Sequence, residues 1–142
     1  MTFEDFVGPG SLVCGLGRVE DVEGIELCDV ARAAALNDGW RVCHMPELGV
    51  EIHAYHGDSH TSLVALDVSR ADRPAVGCYE GLCLWVDRRW RRQGLGTRLV
   101  VEAARLRGGT PVGNTPAVAF SDAGWAVHRR AYDALQDAAP AP

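Results

Sequence analysis

Four consecutive apolar residues, Leu63-Val64-Ala65-Leu66, follow a stretch from Val50 to His56 in which Ile52, Ala54 and His56 alternate with Glu51, His53 and Tyr55. Alternation suits a strand with one covered face, and an unbroken apolar run suits a strand buried on both. Gly81-Leu82-Cys83-Leu84-Trp85-Val86 is a second run of the buried kind. Strands of this type need helices on both sides, so the expected class is α/β (α+β), with a mixed, mostly antiparallel sheet flanked by helices.

The helices are legible to different degrees. From Gly94 to Arg107, Leu95, Leu99, Ala103 and Leu106 share one face while Arg98, Glu102 and Arg105 share another, and Gly108-Gly109 supplies a stop. From Val22, the residues Ile25, Leu27, Val30, Ala34 and Leu36 give looser helical spacing up to the break at Asn37-Asp38-Gly39. Ser121 is expected to cap a last helix from Asp122 to Gln136. Short strands are expected at Trp40 to His44, at Ala117 to Phe120 and, weakly, at Ser11 to Val19. Gly57-Asp58-Ser59 reads as a turn and Arg70 to Pro74 as a polar loop.

The chain has 142 residues, 47% apolar and 23% charged, which fits one globular domain and excludes disorder as a description of the whole. That domain is expected over residues 1–136, with 137–142 as a disordered tail. Nineteen acids against fourteen cations give a net charge of −5, a poor balance for general binding to nucleic acid or an anionic membrane. All the cations are Arg. Without Lys, a Walker-type phosphate loop, a Schiff-base lysine and a pyridoxal-phosphate lysine are excluded. Five Cys with no Cys-x-x-Cys spacing read as free thiols of a reducing compartment. The N-terminus lacks the basic start and apolar run of a signal peptide, and no stretch reaches about 18 apolar residues. The expected location is cytoplasmic.

Charge is distributed unevenly. Between Asp87 and Arg107 lie seven Arg and two acids, +5, while the rest of the chain sums to −10. This island contains a buried strand ending at Val86, an Arg-rich turn, and Gly94-Leu95-Gly96 opening an amphipathic helix. Glycine there lets backbone approach a ligand, and the helix's first N–H groups at the positive dipole end favour an anion. A small polyanion suits so local a patch better than a long nucleic acid.

Arg91-Arg92-Gln93-Gly94-Leu95-Gly96 resembles the acetyl-CoA signature of the GNAT superfamily of N-acetyltransferases, Gln/Arg-x-x-Gly-x-Gly/Ala. Leu84-Trp85-Val86-Asp87-Arg88-Arg89-Trp90 resembles the strand and turn before it. The resemblance covers roughly Glu80 to Gly108, about a fifth of the chain. It implies acetyl-CoA as co-substrate, with Trp85 and Val86 along the pantetheine and Arg91, Arg92, Gln93, Gly94, Leu95, Gly96 and Thr97 around the pyrophosphate. The last helix departs from the family's Asn-x-x-Ala-x-x-x-Tyr pattern, so the reading is of a shortened or divergent member.

Two residues are candidates for proton transfer. Glu80 stands six residues before Val86, which on one regular strand puts both on the same side, where a carboxylate suits a base for the attacking amine. Tyr132 resembles the tyrosine that serves as general acid in many members; it shares a helix stripe with Trp125, His128 and Leu135. His53, His56, Asp58 and His60 gather like a metal site, but His53 and His56 point to opposite faces of a strand, so exposed hairpin histidines and no metal are expected. Gly15-Leu16-Gly17 lacks the third glycine of a dinucleotide fingerprint, and no Gly-x-Ser-x-Gly elbow occurs.

The expected function is therefore acetyl-CoA-dependent N-acetyl transfer to a small amine or peptide amine. The alternative is a non-catalytic CoA-binding protein acting as sensor or assembly partner, with an Arg-rich RNA-binding module third. An unfinished sheet edge would suit a homodimer.

Overall fold

A computed structural model describes residues 12–13, 21–57, 60–80, 83–108, 119–120 and 122–137. Strand β1 (Leu12–Val13) precedes helix α1 (Asp21–Asp38), which leads into β2 (Arg41–Met45), β3 (Val50–His56), β4 (Thr61–Asp67), β5 (Ala75–Glu80) and β6 (Cys83–Val86). Helix α2 (Leu95–Leu106), strand β7 (Ala119–Phe120) and helix α3 (Asp122–Asp137) follow. Strands β2 to β6 form one antiparallel sheet in chain order, and β1 pairs in parallel with β7 in a separate ladder. The class is mixed α+β.

Strand β4 sits at the middle of the sheet, and all its residues are buried. Its Leu63 and Ala65 join a core with α2 and α3, while Val64 and Leu66 join a second core under α1. One apolar run thus serves two layers. On β3, Val50 and Ile52 turn to the first core. His53, opposite Val64, turns to the α1 side.

Three sequence expectations change. Helix α1 does not bury Ile25, Val30 or Leu36, which are 49%, 68% and 42% exposed. It buries Gly24, Cys28, Ala31 and Ala35 instead, a stripe of small residues at helical spacing that brings the helix axis close to the sheet. The reason is Trp85: a Cβ on Gly24 would overlap its indole. Second, the run Gly81 to Val86 is not one strand continuing from Glu80. Residues Ala75–Glu80 form their own strand, paired antiparallel to β6 with Glu80 opposite Cys83 and Gly77 opposite Val86. Gly77 in the middle of β5 weakened the strand signal there. Third, His53 is 5% exposed rather than an outlying hairpin residue.

Helix α2 follows expectation, with Leu95, Leu99 and Ala103 buried, and α3 extends to Asp137. The lead-in before Leu12, most of Ser11 to Val19, the turn at Asp58-Ser59, the Ser121 cap and the tail 138–142 lie outside the described residues. No helix among the described residues is long and apolar enough to cross a membrane.

Candidate functional site

After β6 the chain makes a tight, internally braced loop. The Asp87 carboxylate accepts the Arg89 backbone N–H at 3.0 Å and so caps the single turn Arg88–Trp90. Gln93 Nε2 donates to the Arg89 carbonyl at 3.0 Å, and the backbone then passes through the left-handed region at Arg92 (φ 62°) and Gly94 (φ 88°). Gly94 is the N-cap of α2, and no side chain caps the helix. The N–H groups of its first turn therefore lack intrahelical acceptors and carry the positive end of the helix dipole. Among the described residues, a Cβ at Gly94 would meet nothing within 4 Å, so none of them fills the space beside it. Buried Leu95 anchors the turn from below, and Gly96 packs on Leu84 and Val86 of β6 and Val127 of α3.

The arginines divide into two groups. Arg91 is engaged: its Nε donates to the Val86 carbonyl and its Nη2 to Asp21 Oδ1, both at 2.8 Å. The same Asp21 oxygen accepts the Trp85 indole N–H at 3.1 Å. The Trp85 and Arg91 hydrogen bonds hold the Asp21 carboxyl below the usual carboxylate value. Arg91 thus joins the loop to the start of α1. Arg88 and Arg89 are 82% and 86% exposed, with only long contacts of 3.5 and 3.8 Å to Asp21 and Asp87; Arg92 is exposed as well.

Among the described residues, strand β6 is the outermost of its sheet, paired by β5 on one side. The Asp87 N–H is turned inward to the Val76 carbonyl at 2.8 Å. Backbone direction alternates along an antiparallel strand, so Val86 and Leu84 turn their N–H and C=O groups to the outer edge. The Val86 carbonyl meets Arg91 there. Trp85 behaves differently from the expectation: its side chain is 5% exposed in the core under α1, so only its backbone runs along the site.

The two candidate proton carriers are not brought together. Because Gly77, not Glu80, stands opposite Val86, the Glu80 side chain shares the face of Cys78 and Trp85, on the α1 side of the sheet. It also lies three residues beyond Gly77, roughly 10 Å along the strand. The placement expected from six-residue spacing is thereby overturned. Tyr132 is 5% exposed on α3, in the stripe with His128 (1%) and Ala131 (0%).

Sequence reasoning did not find the buried pair beside it. The Tyr79 hydroxyl lies 2.7 Å from His128 Nε2, both residues fully buried, with the Arg107 guanidinium 5.5 Å from the Tyr79 ring centre. Burial pushes the Tyr79 phenol up to about 12. The pair joins residues 49 positions apart, a separation that no local motif marks.

The histidine cluster disperses. His53 Nε2 lies 3.4 Å from both Glu51 and Arg73, His56 Nδ1 lies 2.8 Å from the Thr61 hydroxyl, and the His60 ring lies 5.3 Å from that of Tyr55 at a tilt of 41°. Among the described residues no group of three His, Cys, Asp or Glu could hold a metal ion. Cys28, Cys43, Cys78 and Cys83 are free thiols, and Cys14 lies outside the described residues. No protein-family model, curated protein or solved structure matches this chain.

Proposed function

We propose that the chain is an acyltransferase of the GNAT type, moving the acetyl group of acetyl-CoA to an amine. The observation that carries the reading is the uncapped start of α2, with left-handed Gly94 and no described residue filling the space beside it, directly after an edge strand. In this reading the backbone N–H groups of Gly94, Leu95, Gly96 and Thr97 hold the pyrophosphate. The exposed Arg88, Arg89 and Arg92 supply positive field to the remaining phosphate. The outer edge of β6 at Leu84 and Val86 offers amide groups to the amides of the pantetheine arm. A five-stranded antiparallel sheet with helices on both faces is compatible with that family's architecture.

The chemistry is attack of a neutral amine nitrogen on the thioester carbonyl, followed by cleavage of the C–S bond and release of CoA thiolate. The amine must lose a proton and the thiolate gain one. Tyr132 is the proposed donor to the thiolate, on α3, the helix whose Val127 lies where a Cβ on Gly96 would meet it. Glu80 faces away, so the amine proton passes to water.

The turning of Glu80 away from Val86 favours a second reading, a CoA-binding protein that does no chemistry. Calorimetric titration of the full chain with acetyl-CoA tests the shared premise: saturable binding is expected, and no binding ends both readings. Separation of the two needs an amine panel with chromatographic detection of free CoA. Turnover above the hydrolysis background supports the transferase, and tight binding without turnover supports the second.

A further inference from the structure

A cleft lies between α2 and the sheet edge formed by β2, on the other side of the sheet's width from β6. Its volume is about 490 Å³, and it opens between α2 and the edge strand β2, where no helix among the described residues covers the sheet. Helix α2 carries both places: its start at Gly94 faces the proposed cofactor site, and the cleft begins one turn later at Arg98, whose N–H bonds the Gly94 carbonyl, and runs along Glu102, Arg105 and Leu106.

Its chemistry is two-sided. Arg41, Arg98 and Arg105 line it against one acid, Glu102, a local charge of +2. Glu102 is a brace for the cations: Arg98 Nε and Arg105 Nη1 donate to the same oxygen, Oε1, at 2.8 and 2.9 Å. These two arginines are seven residues apart, two turns on one face of α2, and Glu102 locks both in place. Arg98 also reaches across to β2, with Nη2 3.6 Å from Cys43 Sγ. A guanidinium has five N–H donors, so both keep donors beyond these bonds. Arg41, on the strand side, makes no ion pair among the described residues. The other wall is apolar: half-buried Ala54 and Leu106, with fully buried Ile52 beneath them.

A bare inorganic ion would satisfy the arginines and leave the apolar wall wet. A neutral apolar molecule would leave the cations without a partner. The volume falls within the range of roughly 300–1,000 Å³ usual for small-molecule sites. We propose that this cleft binds a small organic carboxylate with a compact apolar body, its carboxylate held between Arg41 and the braced Arg98–Arg105 pair. The residues that make this site lie outside the Gly94 loop, so the inference stands whether or not the chain binds CoA.

The test uses benzoate as probe, with inorganic phosphate and acetate as comparisons, and the full chain throughout. Benzoate binding followed by NMR titration should saturate, and it should be tighter than either comparison. Arg41→Gln and Arg105→Gln should each weaken it by about tenfold, the usual effect of losing one charged hydrogen bond at a partly exposed site. Cys43 gives a second readout: saturating benzoate should slow its alkylation by iodoacetamide while exposed Cys83 reacts at an unchanged rate. Non-saturable binding, equal affinity for phosphate or acetate, or unchanged affinity in both variants would each overturn the proposal. If Arg105→Gln disturbs the fold, Arg41→Gln and Cys43 protection still decide it, because Arg41 is exposed and braces nothing.

Discussion

Arg91 and Asp21, seventy positions apart in the chain, meet at 2.8 Å and tie the loop after β6 to the first turn of α1. Asp21 Oδ1 also takes the Trp85 indole N–H, so one carboxylate positions the strand, the loop and the helix. The loop's shape is therefore set before any ligand arrives.

This arrangement gives a pH dependence. The Trp85 and Arg91 bonds lower the Asp21 carboxyl in the folded state from its ordinary 3.8. A lowered carboxyl contributes stability above the unfolded value and loses it as pH falls through the folded one. Wild type should thus exceed Asp21→Asn in melting temperature near neutrality. The gap should close as pH drops below about 4, followed by circular dichroism melts across that range. A constant gap down to strongly acid pH would mean that the carboxylate charge is not what matters.

At the proposed cofactor site, Gly94 is the sensitive position. Gly94→Asp places a negative charge at the open helix start and should lower CoA affinity by more than about tenfold. Gly94→Asn tolerates left-handed backbone and serves as the folded, uncharged control. Affinity should also fall with ionic strength, and dephospho-CoA should bind more weakly than CoA if Arg88, Arg89 and Arg92 serve phosphate. Calorimetry on folded variants reads all of these.

Catalysis should separate Glu80 from Tyr132. With Glu80 on the α1 side of the sheet, Glu80→Gln should leave kcat within about threefold, far short of the 10²–10⁴-fold loss usual for a positioned acid or base. Tyr132→Phe should lower kcat with little change in acetyl-CoA affinity. A large kcat loss in Glu80→Gln alone would reverse this assignment.

Packing of α1 on Trp85 predicts a contrast between two glycines. Gly24→Ala forces a methyl into the indole. Overpacking of about 1–3 kcal/mol should outweigh a helix-propensity gain of about 1 kcal/mol. Gly96→Ala puts its methyl at ordinary contact distances of 3.5 to 3.7 Å inside α2 and should stabilise by up to about 1 kcal/mol through helix propensity. Urea denaturation of both variants measures the difference.

What the sequence determined by itself were the features with a local physical signature. The run Leu63 to Leu66 specified a strand buried on both faces, and the leucine spacing of α2 specified a helix with one covered side. Gly94-Leu95-Gly96 specified an open helix start, because only backbone without a nearby side chain leaves those N–H groups bare. Tertiary structure decided the rest, because each depended on a partner distant in the chain. The buried stripe of α1 consists of Gly24, Cys28, Ala31 and Ala35 rather than its larger residues, since the Trp85 indole occupies the volume they would need. Arg91 is tied to the loop and to the start of α1 because Asp21, seventy positions away, stands within hydrogen-bond reach of it. Glu80 faces α1 because β5 folds back on β6 with Gly77 opposite Val86; in an antiparallel pair the register, and not the spacing along the chain, decides which side chains share a face.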